Sequence, residues 1–307
     1  MAKAVRTTDA AGEGKGVVLR SAPGGPALRF IDTEGPLKPL VETYYLYRWD
    51  AREVEGVERV DVGQIRFMLK GEGVLLFPDG REEHSRPVMI NAPGTAAARY
   101  RVEGPFHCFG VSLRPIGWRS LVRLPAHQVA DRVIDGAEVF GPEVIALLAE
   151  LRRLETLEEM IAAVEPFLQA RRQSVPVSHL ALAQAVREWS ASETLDVQAL
   201  YDAVPGMTPR QVMRLCNEYF GGSPTHLRRK FRALLAALRL YRGERAADVA
   251  APFSDQSHMI NEVKHYTGHT PTSLRERIDP VLAATLDKET FYMLPEAVPE
   301  TLDPHDD

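Results

Sequence analysis

The sequence lacks long hydrophobic runs and is poor in cysteine. Among its 307 residues, no stretch approaches the roughly eighteen consecutive apolar residues of a membrane-spanning helix, and no apolar segment with a cleavage site follows the start. The two cysteines, Cys108 and Cys216, are far apart and outside any Cys-x-x-Cys pattern, which excludes a disulfide scaffold and a thiolate zinc site. We therefore expect a cytoplasmic protein with no membrane partner.

The sequence has no histidine pattern of the kind that holds a metal ion. His84, His107 and His127 are solitary, and no His-x-His pair with a nearby carboxylate is present. A metal-dependent enzyme of the cupin type needs such a set of ligands. We expect no metal, no cofactor and no catalytic residues, and the chain is predicted not to be an enzyme.

The net charge is small but unevenly distributed. It is -5 overall, and residues 281–307 carry seven Asp and Glu against one lysine. Residues 228–245 carry seven Lys and Arg against one glutamate. A local basic stretch in an otherwise nearly neutral chain gives a modest electrostatic footprint for nucleic acid.

Four segments differ in composition and periodicity. Residues 1–27 are rich in Gly, Ala and Pro and predict a disordered leader. Residues 28–174 begin with β-rich patterns and end with helical ones, and residues 175–280 are helical in pattern throughout. The acidic residues 281–307 predict a disordered tail. The predicted fold class is therefore α+β, with an N-terminal antiparallel β-barrel domain followed by an all-α domain.

The β-rich region contains short runs of β-branched and aromatic residues. The runs cover 41–49, 63–69, 73–78, 87–92 and 107–113, and the segments between them include Pro78-Asp79-Gly80, Pro93-Gly94 and Gly104-Pro105. Such a pattern predicts an antiparallel sandwich or small barrel. Two apolar stripes at helical spacing within 142–171 predict a helical hairpin, which serves either core packing or a homodimer face.

The C-terminal half contains an internal repeat. YFGGSPTHLR (219–228) and YTGHTPTSLR (266–275) match at a shift of 47 residues, with six of ten positions identical. In each copy a helical pattern ends at a Gly and is followed by Ser/Thr-Pro, which is typical of the start of a new helix. Two copies predict a tandem pair of small helical modules.

The helix before each Gly is predicted to have one buried face and one polar face. Thr208 can cap the first helix and Asp255 the second. The inward positions are Val212, Leu215 and Tyr219 in the first copy, and Met259, Val263 and Tyr266 in the second. The outward positions are Arg210, Met213, Arg214 and Asn217 in the first copy, and Gln256, Ser257, Ile260, Asn261 and Lys264 in the second. Arg, Asn and Gln are suited to bidentate hydrogen bonds with base edges in the major groove.

On these motifs, residues 177–278 resemble the AraC/XylS family of transcriptional regulators. The matching stretches are GMTPRQVMRLCNEYFGGSP (206–224) and FSDQSHMINEVKHYTGHTP (253–271). The resemblance implies two helix-turn-helix units that bind double-stranded DNA, joined by a long helix within 226–243. It places Arg210, Met213 and Arg214 of the first unit, and Gln256, Ser257, Ile260 and Asn261 of the second, at base-reading positions. It also implies that Lys264 binds phosphate and that RNA polymerase is a further partner.

The N-terminal half resembles the cupin-like sensor and dimerisation half of such regulators. Gln64 and Arg66 alternate with two apolar residues, so one face of their strand is predicted to line a barrel interior. The candidate effector-binding residues are Gln64, Arg66, Tyr100 and His107. We expect a small-molecule effector to modulate the activity of the chain.

Two other functions stay open. The first is an enzyme that carries a DNA-binding domain, either a cupin oxygenase or a suicide alkyltransferase. The alkyltransferase needs an activated cysteine, and neither Cys108 nor Cys216 lies in a Pro-Cys-His setting. The second is an interaction protein that keeps the fold without reading DNA.

Overall fold

The fold comes from a computed structural model of the chain. The structure describes residues 26–192, 194–276, 278, 282 and 286, together with the backbone of 5–7 and 16–20. An antiparallel sheet domain is followed by a helical domain, so the predicted fold class is confirmed.

Ten strands in the described part of the chain form one antiparallel sheet. They are β1 (Val5–Thr7), β2 (Gly16–Arg20), β3 (Ala27–Asp32), β4 (Val41–Trp49), β5 (Glu53–Glu58), β6 (Gln64–Leu76), β7 (Glu82–His84), β8 (Val88–Asn91), β9 (Ala98–Leu113) and β10 (Val133–Asp135). Their order is β1-β2-β3-β4-β9-β6-β8-β10, with β5 paired to β9 and β7 paired to β6. The long strand β9 pairs with β4, β5 and β6, and it therefore connects the two sides of the sheet.

Two of the separators expected from the sequence lie inside strands. The runs 63–69 and 73–78 belong to the single strand β6, whose pairing with β9 is irregular between Met68 and Glu72. Gly71 lies in this irregular stretch with a φ of +85°, and a side chain there would meet the carbonyl oxygen of Glu103. Gly104-Pro105 likewise lies within β9. The expectation of strand ends was wrong here because Gly and Pro mark irregular pairing inside long strands.

The expectation of a disordered leader over 1–27 is wrong in part. The strand Val5–Thr7 pairs with Gly16–Arg20, which in turn pairs with β3 from Ala27 onward. The run GVVLR supplies β-branched residues, and its backbone groups satisfy the otherwise open edge of β3. The other residues before Pro26 lie outside the described residues.

Short helices and helical turns lie between strands of the sheet and after its last strand, where they lead to the predicted hairpin. They are a 3-10 turn (Gly35–Leu37), α1 (Pro115–Gly117), a π-helical turn (Trp118–Val122), α2 (Ala126–Val129), α3 (Gly136–Phe140), α4 (Glu143–Leu151) and α5 (Leu157–Gln169). A capping box between Thr156 and Glu159 starts α5. The apolar stripes of α4 and α5, which include Leu148 and Val164, are buried in the main core. Of the two uses expected for this hairpin, the packing supports a role in the core.

The helical domain contains two short-helix units on either side of a long helix. Its helices are α6 (Val177–Ser190), α7 (Val197–Asp202), α8 (Pro209–Phe220), α9 (Pro224–Tyr241), α10 (Ala246–Val249), α11 (Gln256–Thr267) and α12 (Pro271–Glu276). We call α7 with α8 the first unit and α10 with α11 the second unit; α9 joins them.

The predicted disordered tail, 281–307, lies outside the described residues except at two positions. Leu282 and Leu286 are helical and buried against the second unit. At these positions the expectation was wrong, because two leucines four residues apart share one helix face and pack on an available core.

Buried apolar residues divide into one large core and several smaller ones. The large core includes Phe67 of the sheet, Trp118 after it and Leu227 of α9, so it joins the sheet domain to the first unit. The second unit has its own core, which includes Val263 and Leu274. A small cluster of Val60, Ala233, Leu234 and Tyr266 lies between the sheet domain and the second unit.

Candidate DNA-binding surface and effector cavity

The first candidate recognition helix is α8, and its sequence determines both ends. The Thr208 side chain accepts a hydrogen bond from the Gln211 amide at 3.3 Å, and the Gln211 side chain accepts one from the Thr208 amide at 2.8 Å. Pro209 occupies the first turn, where its missing N–H leaves no bond unmade. The helix ends at Gly221, whose φ of +82° is strained for residues with a side chain.

The faces of α8 are those predicted. Its inward residues are buried, namely Val212, Leu215 and Tyr219. Arg210, Met213 and Arg214 are exposed, and Asn217 is half-buried. Arg214 Nη1 donates to Glu218 Oε1 at 2.7 Å on the same surface. An exposed ion pair of this kind contributes little, so the guanidinium can exchange this partner for a base edge.

The second candidate recognition helix, α11, repeats this arrangement. The Asp255 side chain accepts a hydrogen bond from the His258 amide at 2.8 Å, and the helix ends at Gly268 with a φ of +74°. Its inward residues Met259, Val263 and Tyr266 are buried. Its outward residues Gln256, Ser257, Asn261 and Lys264 are exposed, and Ile260 is half-buried. Both helices therefore present an unburied row of side chains suited to base edges and phosphates.

The repeat breaks at one buried position. Leu215 of the first unit corresponds to Glu262 of the second, and both side chains are buried. Glu262 accepts hydrogen bonds from Arg229 Nε at 2.8 Å and from Arg232 Nη2 at 2.6 Å. Burial raises the pKa of Glu262, but the hydrogen bonds from the two arginines outweigh burial and lower the pKa below its ordinary value. A buried carboxylate thus fixes α11 to the joining helix α9.

Much of the basic stretch 228–245 has internal partners. Two of its arginines bind the buried glutamate of α11. Lys230 Nζ donates to the carbonyl oxygens of Asp61 and Gly94 at 3.1 and 3.4 Å. Arg239 pairs with Glu244 at 2.7 Å. The electrostatic footprint of this stretch is therefore smaller than its charge count predicts.

The C-terminal end of α11 is held on the sheet domain through the backbone. The Val60 amide donates to the Tyr266 carbonyl oxygen at 2.9 Å, and the Ala97 amide donates to the His265 carbonyl oxygen at 2.8 Å. His265 Nε2 lies 3.0 Å from the Thr95 carbonyl oxygen. The carbonyl groups at the C-terminal end of a helix lack hydrogen-bond donors within the helix. Here the sheet domain supplies a backbone amide donor to two of these carbonyl groups.

A cavity of about 150 Å³, which we call the sheet cavity, lies within the sheet domain. Most of its wall is apolar and includes Leu28, Phe30, Met68, Met89 and Phe106. Its other lining residues include Arg66 and Tyr100, as well as Leu282 from beyond the second unit.

The polar part of the sheet cavity is a hydrogen-bonded network around Arg66. Arg66 Nε donates to Tyr45 Oη and to Gln64 Oε1, both at 2.9 Å. Arg66 Nη1 donates to Glu58 Oε2 at 2.9 Å, and Nη2 donates to the other oxygen of the same carboxylate. Burial raises the pKa of Tyr45, so its hydroxyl stays protonated and donates to Gln64 at 2.6 Å.

A second cavity, of about 280 Å³, lies between the sheet domain and the helical domain. Trp118 lines it on one side and Val186, Tyr219 and Leu234 line it on the other. The buried Lys230 also borders this space. The two domains thus enclose a largely apolar volume where they meet.

Two family models match parts of the chain. Residues 203–277 match a family model described as a helix-turn-helix domain, and residues 30–135 match one described as a domain of unknown function (DUF6597). The helix-turn-helix match runs from α8 to α12, so it includes both candidate recognition helices. The chain therefore carries a helix-turn-helix domain of the AraC type at residues 203–277.

The solved structures similar to this chain are distant in sequence. ToxT from Vibrio cholerae O395 is 9% identical with a TM-score of 0.40, over 76% of this chain and 97% of that one. ToxT bound to (E)-4-(8-methylnaphthalen-1-yl)but-3-enoic acid is 11% identical with a TM-score of 0.41, over 74% and 96%. The AraC-like transcriptional activator CuxR is 14% identical with a TM-score of 0.28, over 76% and 85%. No curated protein matches the chain.

The candidate effector residues predicted from the sequence fall into two places. Gln64, Arg66 and Tyr100 line the sheet cavity, as the alternation in β6 predicts for the first two. His107 is not among the residues that line it, and its Nε2 atom lies 2.7 Å from Asp50 Oδ1. No sequence pattern singles out Tyr45 or Glu58, because tyrosines and glutamates are frequent in β4 and β5.

Metal ligands and reactive cysteines are the features that the two enzyme alternatives require. Within the described residues, no group of three or more His, Cys, Asp or Glu is placed to hold a metal ion, and no helix is long and apolar enough to cross a membrane. Cys108 and Cys216 are both buried, and burial raises the pKa of each thiol to about 12. A thiol with a raised pKa is a poor nucleophile at neutral pH, which disfavours the alkyltransferase alternative.

Proposed function

We propose that this regulator reads two adjacent stretches of the major groove, one with α8 and one with α11. The observation that supports this proposal is the equivalence of their outward rows under the 47-residue shift. Arg210, Met213, Arg214 and Asn217 correspond to Ser257, Ile260, Asn261 and Lys264, and none of the eight is fully buried. Gln256 adds a long polar side chain at the exposed start of α11. Different side chains at equivalent positions imply two different half-sites.

The test is selection of random duplex DNA by the full chain at two salt concentrations, followed by sequencing. We expect two short half-motifs about one helical turn apart. Enrichment of no sequence at either salt concentration would contradict sequence-specific reading.

Single substitutions separate base reading from phosphate binding. We expect Arg214→Ala to cost about 1–3 kcal/mol on the selected sequence and little on random DNA. Lys264→Ala should weaken both and reduce the slope of log affinity against log salt by about 1. Arg153→Ala, an exposed arginine between α4 and α5, is the control and should change neither. Equal affinities for all four proteins would contradict the assignment of these helices.

We further propose that a small-molecule effector binds in the sheet cavity and modulates DNA binding. Its support is an apolar pocket with a few fixed polar groups, the usual form of a small-molecule site. RNA polymerase and a second copy of the chain are the proposed protein partners, and the cytoplasm is the proposed location.

A further inference from the structure

The polar network in the sheet cavity has the form of a carboxylate receptor. Tyr45 and Gln64 engage only the Nε atom of Arg66, and they orient the guanidinium without using its terminal nitrogens. Both terminal nitrogens point to the Glu58 carboxylate in a bidentate pair. Parallel N–H bonds of this kind are the arrangement in which arginine binds carboxylates most specifically. We call the two terminal nitrogens of Arg66 the fork. The Glu58 carboxylate occupies this fork, and Tyr45 and Gln64 hold the guanidinium in place.

The other charged residues around this cavity have their own partners. Arg59 Nη1 donates to the Val60 carbonyl oxygen, and Asp61 accepts from Gln64 Nε2 at 2.6 Å. Glu83 pairs with Arg81 at 3.1 Å. None of these contacts involves the Arg66 fork.

Glu58 is the member of the pair that can leave. It is the last residue of β5, and its side chain is 23% exposed, against 16% for Arg66. Beyond it the chain leaves the sheet until Gln64 begins β6. Moving Glu58 outward places its charge in water, and a second carboxylate on the fork leaves no buried charge unpaired. A neutral ligand provides no such exchange.

The residues that flank Glu58 hold the second recognition helix, and we call 57–61 the latch segment. Val57 lies against Gly268, where α11 ends. Val60 donates to the Tyr266 carbonyl oxygen, and the Asp61 carbonyl accepts from Lys230 of α9. Leu282 lines the same cavity and packs in the core of the second unit. The latch segment therefore lines the sheet cavity and also contacts the end of α11.

We propose that the effector is a small carboxylate with an apolar body, and that it displaces Glu58 from Arg66 and loosens the latch segment from α11. This inference rests on the proposed function and names the effector class and its route to the second unit. The cavity volume, about 150 Å³, suits a body the size of one benzene ring. Benzoate is therefore the probe, and benzamide is its neutral match.

Calorimetric titration of the full chain tests the binding step. We expect benzoate to bind and benzamide to bind at least about tenfold more weakly, because only the carboxylate pairs with the guanidinium. Glu58→Gln should raise benzoate affinity about tenfold by weakening the internal competitor, with little change for benzamide. Glu55→Gln is the matched control, because Glu55 lies on the same strand as Glu58 but is an exposed partner of Arg101. It should leave both affinities unchanged.

Two results of the titration would overturn the proposal. One is a Glu58→Gln protein that binds benzoate no more tightly than Glu55→Gln. The other is an Arg66→Met protein that is folded and still binds benzoate as the unaltered chain does. Arg66→Met leaves Glu58 without its ion-pair partner and can unfold the sheet domain. If that variant is unfolded, the comparison of Glu58→Gln with Glu55→Gln decides whether the proposal holds.

Hydrogen exchange tests the release step. Saturating benzoate should speed exchange of the Val60 amide while sheet amides such as that of Phe109 stay protected. Bound benzoate with unchanged Val60 exchange would overturn the release of the latch segment. Random-duplex selection without benzoate tests the proposed DNA reading by itself. If the chain selects half-motifs but does not bind benzoate as expected, the carboxylate effector is overturned and the proposed DNA reading is not.

Discussion

The two units share a repeated sequence but are attached to the rest of the molecule in different ways. The first unit contributes Leu215, Tyr219 and other side chains to the large core that also contains the sheet. The second unit has a separate core and meets the sheet domain through backbone hydrogen bonds and the small cluster around Tyr266. Apolar burial is distributed over many contacts, whereas a few hydrogen bonds at a helix end contribute about 1 kcal/mol each. The second unit is therefore the one that can change its position at small cost.

This difference agrees with the place of the sheet cavity. The latch segment beside the cavity contacts α9 and α11. A protein in which one unit shares the core of the sheet domain and the other is held by the latch segment can keep one half-site contact while it adjusts the second. Elements that move need low local stability, and the second unit, which few contacts attach to the sheet domain, meets this requirement.

The largest effect is expected from a matched pair of core leucines. Leu227 and Leu274 are equivalent under the 47-residue shift and are 1% and 0% exposed. Each change to alanine should cost about 2–5 kcal/mol of unfolding free energy where it acts. Leu227→Ala should destabilise the sheet domain with the first unit, because its core is shared, and Leu274→Ala should destabilise only the second unit.

Hydrogen exchange of sheet amides, combined with denaturant unfolding, distinguishes these two outcomes. Protection of the sheet should fall in Leu227→Ala and stay unchanged in Leu274→Ala. If both variants lower sheet protection equally, the two units do not differ in their attachment and the comparison fails.

A smaller effect is expected where the repeat exchanges Leu215 for Glu262. Glu262→Gln should destabilise the second unit by roughly 3 kcal/mol at neutral pH, because it removes the charge that pairs with two arginines. The pKa of Glu262 is lower in the folded chain than its ordinary value of 4.5, so its contribution is complete above that value and is lost as the pH falls below it. The difference between the variant and the unaltered chain should therefore shrink as the pH falls below about 4.5.

Urea unfolding of both proteins between pH 7 and pH 3 measures this difference. Glu218→Gln, which removes the half-buried partner of the exposed Arg214 in the first unit, is the control and should cost at most about 1 kcal/mol at any pH. A pH-independent deficit in Glu262→Gln would show that the carboxylate charge does not stabilise the second unit.

The sequence predicts the two helices more fully than it predicts their attachment. Caps, helix ends and faces depend on neighbours within about four residues, so Thr208, Asp255 and the two terminal glycines could be identified from local pattern. The bond from the Val60 amide to Tyr266 joins backbone groups about two hundred residues apart, and backbone groups carry no residue-type signal. Glu262 was counted only as a charge, since its burial depends on arginines of another helix.

The sheet cavity was predictable to a similar degree. Alternation along β6 indicated that Gln64 and Arg66 share a face, because successive side chains of a strand point to opposite sides. The choice of Glu58 as the partner of Arg66 depends on where β5 lies beside β9, which no local pattern determines. His107 lies between Phe106 and Cys108, which line the cavity, so alternation along β9 turns its side chain to the other side, where Asp50 engages it.

The smallest effect is expected at the two glycines that end the recognition helices. Both have positive φ values, so Gly221→Ala and Gly268→Ala should each cost about 1–2 kcal/mol from backbone strain. The new Cβ at position 221 lies 3.3 Å from Pro93 Cβ, which a small shift relieves, whereas the Cβ at position 268 overlaps the stiff side chain of Val57. Only Gly268→Ala should therefore speed exchange of the Val60 amide. Equal Val60 exchange in the two variants would mean that contact between Val57 and the end of α11 does not hold the latch segment.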